Sequence, residues 1–183
     1  MVRPSLVVTR SAPLALVVFG LLGGVLCWMW DVAGAARPWL QAVVATALVV
    51  VSIVVHELGH AVAAVRMGER WAGVRITGAG VGVVLQHEHR TYAQQAVLSA
   101  AGPGAGIMWD LLVGAVGLAV WGWSLSPLLV ACGCGLLLNL TNLLPLGRNA
   151  DGTKLARGLW ASVRGRGHEP WPTDIDPAGG AAR

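Results

Sequence analysis

The chain has 183 residues, of which 55% are hydrophobic and only 12% are charged. This composition excludes an ordinary soluble domain and is typical of a polytopic membrane protein, so we expect one membrane domain over residues 1–164. The formal net charge is +4, but there is no basic stripe with interleaved aromatic residues, which argues against a nucleic-acid partner. The three cysteines all lie in apolar segments and predict small buried side chains rather than disulfides.

Four apolar segments predict an all-α fold with about four transmembrane helices. Each segment approaches or exceeds the ~20 residues that a helix needs to cross a bilayer. The predicted spans cover residues 13–30, 38–65, 103–123 and 125–144. The first span has an alternative interpretation as a cleaved signal peptide, because Ala33-Gly34-Ala35 resembles a small-residue cleavage site. The two tryptophans at the end of this span favour a retained helix.

The second span carries the pattern His56-Glu57-Leu58-Gly59-His60 near its end. Helical spacing places the two imidazoles one turn apart on the same face, with a carboxylate beside them. Two neutral histidines in this arrangement are suitable zinc ligands, and Glu57 can accept a proton from water. Ionisable residues are costly inside a bilayer, so a bound divalent metal is the natural partner to offset that cost.

The segment between the second and third spans predicts a short β-hairpin, because apolar residues alternate on either side of the turn Gly78-Ala79-Gly80. The alternating residues are Val74, Ile76, Val81, Val83 and Leu85. We hypothesise that an exposed edge strand pairs with an extended substrate and holds its backbone unwound. His87 and His89 are interpreted as exposed strand positions, with a second metal site as the alternative.

The third span contains an acidic residue, Asp110, seven residues after Pro103. An acid inside a membrane helix is a functional candidate by default and is expected to face the bundle interior. The alternative interpretation is a hydrogen-bond partner for Asn139, Thr141 or another polar group, and neither interpretation makes Asp110 a zinc ligand. Pro103 is expected to begin the third helix, since proline is favourable in a first turn.

The fourth span ends in Asn142-Leu143-Leu144-Pro145, and Asp151-Gly152 follow after a short loop. A catalytic zinc site usually has three protein ligands and one open position. The second and fourth spans both run inward, so Asp151 is expected at a depth similar to that of the two histidines. Residues 151–164 predict an amphipathic helix on the inner membrane surface, with Leu155, Leu159 and Trp160 toward lipid. Residues 165–183 are rich in glycine and proline and predict a disordered tail.

The basic residues predict that both termini are cytoplasmic. Of the 13 Lys and Arg residues, only Arg37 lies on the external side when the N-terminus is inside, as the positive-inside rule expects. Five tryptophans fall at the predicted external ends of the helices, where an interfacial belt is expected; they are Trp28, Trp30, Trp39, Trp121 and Trp123. The histidine motif then lies toward the cytoplasmic side of a cell membrane, and the residue usage is typical of a GC-rich bacterial gene.

These motifs, in this order, resemble the site-2 protease family of intramembrane zinc metalloproteases. The resemblance rests on His56-Glu57-x-x-His60, on Ala101-Gly102-Pro103 in a later helix, and on Asn142-x-x-Pro145 followed by Asp151-Gly152. It extends over residues 40–159 in a minimal form without a PDZ or CBS domain.

The resemblance implies that the chain is an enzyme for regulated intramembrane proteolysis. His56, His60 and Asp151 would be the zinc ligands. Glu57 would be the catalytic base, and Asn142 would help hold the substrate or the oxyanion. The expected reaction is hydrolysis of peptide bonds in or near the transmembrane segments of single-span membrane proteins. A regulatory membrane partner is compatible with this function.

Two other functions are weighed against proteolysis. One is a non-catalytic protein of the same fold that binds substrate helices or metal without cleavage, and the intact pair of His56 and His60 around Glu57 argues against it. The other is a small transporter or metal-handling protein, which would need a polar path that the external halves of the spans lack. Zinc stoichiometry combined with cleavage of a membrane substrate separates the three functions.

Overall fold

A computed structural model describes residues 5–8, 12–33, 35–77, 80–86, 90–147 and 150–172. These residues form five helices and one small sheet. The strands are β1 (Ser5–Val8), β2 (Arg70–Thr77) and β3 (Gly80–Gln86). The helices are α1 (Ala12–Val32), α2 (Pro38–Arg66), α3 (Tyr92–Trp121), α4 (Pro127–Asn142) and α5 (Asp151–Val163).

Local signals in the sequence define where α3 and α4 begin. Thr91 precedes α3, and its hydroxyl accepts a hydrogen bond from the Gln94 amide while the Gln94 side chain accepts one from the Thr91 amide, at 3.2 and 2.9 Å. This reciprocal pair is a capping box, which satisfies two of the otherwise unpaired amides at a helix start. At α4, the Ser126 hydroxyl accepts from the Leu129 amide, and Pro127 occupies the first helical position.

The predicted start of the third helix at Pro103 is wrong. Helix α3 begins at Tyr92, so Pro103 lies in the helix interior, where its side chain is fully buried. Proline removes one backbone hydrogen bond, here the one that the Ser99 carbonyl would accept, but membrane helices tolerate this loss when neighbouring helices pack around the site. The capping box at Thr91 is the readable start signal that the prediction missed.

Helices α2 and α3 are, by length and composition, able to cross a membrane, whereas the apolar stretch Val17–Val32 and helix α4 are shorter. The four-span count therefore stays a prediction. Large apolar side chains nevertheless cover the outer faces of α1 to α4, with Met108 74% exposed and Leu21 67% exposed. Exposed apolar surface of this kind is unfavourable in water and is expected where a helix faces lipid.

Small residues form much of the interface between the helices. The buried core comprises Leu26, Trp30, Ala42, Ala45, Val49, Val113 and Ala131. The three alanines, Ala42, Ala45 and Ala131, allow the helix backbones to approach closely, which is how helices associate in lipid. Trp30 does not belong to an interfacial belt, contrary to the sequence prediction. It is only 1% exposed, and its indole N–H donates to the Leu125 carbonyl, which ties the end of α1 to the α3–α4 connection.

A three-stranded sheet in the order β1-β2-β3 contacts the helices, so the sheet has one strand beyond the predicted hairpin. Strands β2 and β3 pair antiparallel in the segment predicted as a hairpin, with Arg70 opposite Gln86 and Thr77 opposite Gly80. Strand β1 pairs parallel to β2, with Ser5 aligned to Gly73. A four-residue strand carries too little alternation to be predicted, since it depends on a partner far away in the chain.

Helix α5 packs along the first turns of α3, so one of its faces contacts the helix bundle. Gly158 makes this approach possible, because a Cβ there would collide with the Tyr92 carbonyl and with Ala96. Two of the three residues predicted to face lipid, Leu159 and Trp160, are exposed, and Leu155 is half-buried.

Residues 165–172 belong to the segment predicted as a disordered tail, and they contact the start of α3 in the structure. The Tyr92 amide donates to the Glu169 carbonyl, and the amide of the buried Trp171 donates to the Arg90 carbonyl at 2.7 Å. Arg90 in turn forms a buried ion pair with Glu69 just after α2. These contacts link the ends of α2, α3 and α5, while residues 173–183 lie outside the described part of the chain.

Candidate metal centre

His56 and His60 lie on the same face of α2, as the helical spacing predicts. Their Nε2 atoms are 3.1 Å apart. His56 is buried and His60 is half-buried, so both rings point into the bundle rather than toward the surroundings. The pair therefore presents two imidazole nitrogens to a common point inside the protein.

The side chain of Asp151 reaches the same point from the start of α5. Its Oδ2 atom lies 3.3 Å from the Nε2 of His56 and 3.2 Å from the Nε2 of His60. Gly152 explains how α5 can begin so close to the end of α4, since a Cβ at this position would collide with the backbone of Leu143 and Leu144. Among the described residues, these three side chains form the group of His, Cys, Asp and Glu that can hold a metal ion.

Both imidazole rings are held by hydrogen bonds at their Nδ1 atoms. His60 Nδ1 lies 2.8 Å from the Leu98 carbonyl oxygen, which can only accept, so His60 Nδ1 carries the hydrogen. His56 Nδ1 lies 2.8 Å from Oδ1 of Asn139 and likewise donates to it. In a neutral ring the other nitrogen then has a free lone pair. Both Nε2 lone pairs therefore point at the carboxylate of Asp151.

This arrangement fits a zinc ion. Three electron-rich atoms with no hydrogen among them repel one another unless a cation lies between them. Their separations of 3.1, 3.2 and 3.3 Å are close to the ~3.3 Å expected between ligand atoms that each lie ~2.0 Å from a tetrahedral zinc. Two imidazoles and one carboxylate are also a ligand set of catalytic zinc sites, in which a fourth position stays open.

The carboxyl group of Asp151 is poised to remain ionised. Burial by itself raises its pKa, but in the metal-free protein protonation of His56 and His60 at Nε2 supplies hydrogen bonds and positive charges that outweigh burial and hold the pKa well below the usual value for aspartate. A carboxylate binds a metal in this deprotonated form, so no proton has to be displaced from Asp151.

Glycines on α3 make room for the polar side chains around the site. A Cβ at Gly102 would overlap the imidazole of His60, and a Cβ at Gly106 would overlap the amide of Asn139. Nothing lies within 4 Å of the Cβ position at Gly104, on the same helix. The close approach of α3 to α2 therefore depends on particular glycines and not on a general flexibility of the helix.

Glu57 and Asn142 are the other predicted site residues, and they differ in burial. Glu57 is half-buried on α2, adjacent to the first histidine. Asn142 is the last residue of α4, and its side chain is exposed. The roles of Glu57 and Asn142 stay predictions. His87 and His89, considered for a second metal site, lie outside the described residues.

Sequence reasoning missed the contact between Asn139 and His56. Asn139 is 3% exposed and lies on α4, three residues before Asn142. It also donates to Asp110 Oδ2 at 2.8 Å, which agrees with the interpretation of Asp110 as a hydrogen-bond partner. A polar residue in the last turn of an apolar helix was the available signal. Asp110 is not among the residues that converge on the metal position.

The comparison with protein families gives one match that covers most of this architecture. Residues 32–153, from the end of α1 through the first turn of α5, match the model of the Peptidase M50B-like family. The chain belongs to this family. The resemblance to site-2 proteases that the motifs indicate is thereby confirmed at the level of the family.

A solved structure shows a similar fold. The chain is similar to the Site-2 Protease from Methanocaldococcus jannaschii, with a TM-score of 0.57 and 19% sequence identity. The similarity covers 86% of this chain and 67% of the other. At this identity the likeness concerns the fold and not the activity. No curated protein shows a significant sequence match to the chain.

The fit of His60 against Gly102 gives a testable prediction. We expect Gly102→Ala to displace the His60 ring and to weaken zinc binding about 10-fold or more, as changes around a metal ligand commonly do. Gly104→Ala is the matched control, because its added methyl group meets no atom and alanine favours the helix. Zinc dissociation constants of the purified proteins measure both effects. Equal constants for Gly102→Ala and the wild type would contradict the tight packing of His60.

Proposed function

We propose that this protein is an intramembrane zinc endopeptidase that hydrolyses peptide bonds in or near the transmembrane segments of membrane proteins. One observation carries the proposal. Nε2 of His56, Nε2 of His60 and Oδ2 of Asp151 lie within 3.3 Å of one another inside a bundle with an apolar outer surface. Membership of a peptidase family supports the same conclusion.

In this proposal His56, His60 and Asp151 hold the zinc ion. A bound zinc ion supplies a Lewis acid that polarises a carbonyl group and makes water a better nucleophile near neutral pH. The protein contributes the orientation of the ligands, through the hydrogen bonds at the two Nδ1 atoms, and an apolar surrounding in which electrostatic effects are strong.

Glu57 acts as the general base. Its carboxylate takes a proton from the attacking water and then gives the proton to the leaving amine as the peptide bond breaks. It lies directly after His56 in the chain, so the rigid helix α2 keeps it close to the ligands. Asn142, near the start of the connection to α5, is the proposed contact for the substrate or for the negative oxygen that develops during attack.

The proposed substrates are single-span membrane proteins. A site on α2 and α5 that is surrounded by lipid-facing side chains favours a substrate that arrives within the bilayer over one that diffuses from water. Extended pairing of the substrate with the edge strand β3 remains a hypothesis for how its helix is unwound. A regulatory membrane partner is compatible with this scheme.

The proposed location is a bacterial cell membrane, with both termini and the active site on the cytoplasmic side. The distribution of basic residues supports this orientation, since Arg37 alone lies between the first two helices while basic residues follow α2 and α4.

Replacement of the base tests the catalytic proposal. We expect Glu57→Gln to lower cleavage of a single-span membrane substrate by about 10²- to 10⁴-fold, because glutamine cannot accept the proton. Zinc stoichiometry should stay at the wild-type value, because Glu57 is not a ligand. Cleavage in proteoliposomes and metal analysis of the same sample measure the two effects.

The matched control is Glu169→Gln, which removes an exposed carboxylate that pairs with Arg166. This variant should cleave at the wild-type rate. Wild-type turnover by Glu57→Gln would refute the assigned base. A wild-type protein that binds zinc and cleaves no tested membrane protein would instead favour the non-catalytic function.

One-sided labelling tests the orientation. Ser124 is exposed in the α3–α4 connection, and Arg166 is exposed after α5. With the three native cysteines replaced by alanine, Ser124→Cys should react with a membrane-impermeant maleimide in intact cells. Arg166→Cys should react only after lysis. The reverse pattern would contradict the proposed orientation.

A further inference from the structure

Three polar side chains from three different helices meet in the interior of the bundle. Ser52 of α2, Asp110 of α3 and Asn139 of α4 are 1%, 2% and 3% exposed, respectively. Polar groups are rarely buried in an apolar interior unless their hydrogen bonds are satisfied. Each of these three side chains therefore needs hydrogen-bond partners inside the bundle.

The amide nitrogen of Asn139 is surrounded by oxygen atoms. Nδ2 lies 2.8 Å from Asp110 Oδ2, 3.0 Å from the Gly135 carbonyl and 3.2 Å from the Ser52 hydroxyl. A carbonyl can only accept a hydrogen bond, and an ionised carboxylate can only accept as well. The NH₂ group must therefore face this side, and the amide cannot be turned around without placing its own oxygen against two acceptors.

The orientation of Asn139 determines the state of His56. With Nδ2 directed at Asp110, the Oδ1 atom faces His56 Nδ1 at 2.8 Å and accepts its hydrogen. The neutral imidazole then has its lone pair on Nε2, the atom directed at His60 and Asp151. In the opposite tautomer Nε2 would carry the hydrogen and could not bind a metal.

The two histidines are held by different means. His60 donates to the backbone carbonyl of Leu98, a partner that no side-chain substitution removes. His56 depends on a side chain, and that side chain depends on Ser52 and Asp110. The glycines fit this network closely, because a Cβ at Gly135 would overlap the carboxylate of Asp110. The pocket is thus shaped around the polar chain from Asp110 through Asn139 to His56.

We propose that Asn139 is a positioning residue that holds His56 in the tautomer and orientation required for metal binding, and that Asp110 and Ser52 orient Asn139. This inference rests on the proposed zinc site. It assigns the buried acid of α3 a role through hydrogen bonding rather than through coordination. The two asparagines of α4 then have different roles. Asn139 holds the metal ligand His56, and Asn142 is the proposed contact for the substrate.

Zinc affinity of the purified full-length protein, measured by competition with a chelator, tests the network. Asn139→Ala should weaken zinc binding by about 10- to 100-fold, the range typical for partners of metal-binding histidines. Asp110→Leu should also weaken zinc binding. Asp110→Asn should keep the affinity within about threefold of the wild type, because its side-chain oxygen can still accept from Asn139.

Thr141→Ala is the matched control on α4, because the Thr141 hydroxyl donates to the carbonyls of Leu137 and Leu138 in its own helix. Its zinc affinity should equal that of the wild type. A purely structural role would lower the thermal midpoint of Asn139→Ala without changing its zinc affinity, and this result would overturn the proposal.

A second readout uses the metal-free protein, in which ¹⁵N chemical shifts of histidine report the tautomer. His56 should show a protonated Nδ1 in the wild type and Asp110→Asn, and a mixture of tautomers in Asn139→Ala. An unchanged His56 spectrum in Asn139→Ala would also overturn the proposal. His56→Ala tests the zinc site independently of the role of Asn139, because retention of zinc by that variant would refute the zinc site itself.

Discussion

The constraint on which the structure depends is the convergence of three electron-rich atoms inside an apolar bundle. Two imidazole nitrogens and a carboxylate oxygen approach within 3.3 Å of one another, and removing such groups from water is costly unless a cation compensates. A divalent metal both offsets this cost and gives the arrangement a chemical use. The rest of the fold serves to bring α2 and the start of α5 to the same place.

Small residues and polar contacts make that convergence possible. Gly102 and Gly152 allow the backbones to approach closely enough for His60 and Asp151 to meet. Beyond the site, the buried pair of Arg90 and Glu69 joins the ends of α2 and α3, next to the segment that follows α5. The start of α5 is thus held at the turn after α4, and its later turns are held against α3, so Asp151 does not depend on a single contact.

Local patterns predicted the features that depend on neighbouring residues, and they failed where distant segments meet. The pairing of His56 with His60 follows from helical spacing alone, and the ordered motifs added Asp151. The contact between His56 and Asn139 joins residues 83 positions apart and needs the packing of α2 against α4. Strand β1 likewise depends on β2. The start of α3 at Thr91 was readable from its capping box, but Pro103 was interpreted as the first turn.

The most direct test is X-ray absorption spectroscopy of the zinc-loaded protein. We expect one zinc per chain, with a nitrogen and oxygen shell at about 2.0–2.1 Å that contains two imidazoles. Asp151→Ala should lose one light-atom ligand or the zinc itself. A spectrum with fewer than two imidazoles, or one that is unchanged in Asp151→Ala, would contradict the convergence of these three residues on a single ion.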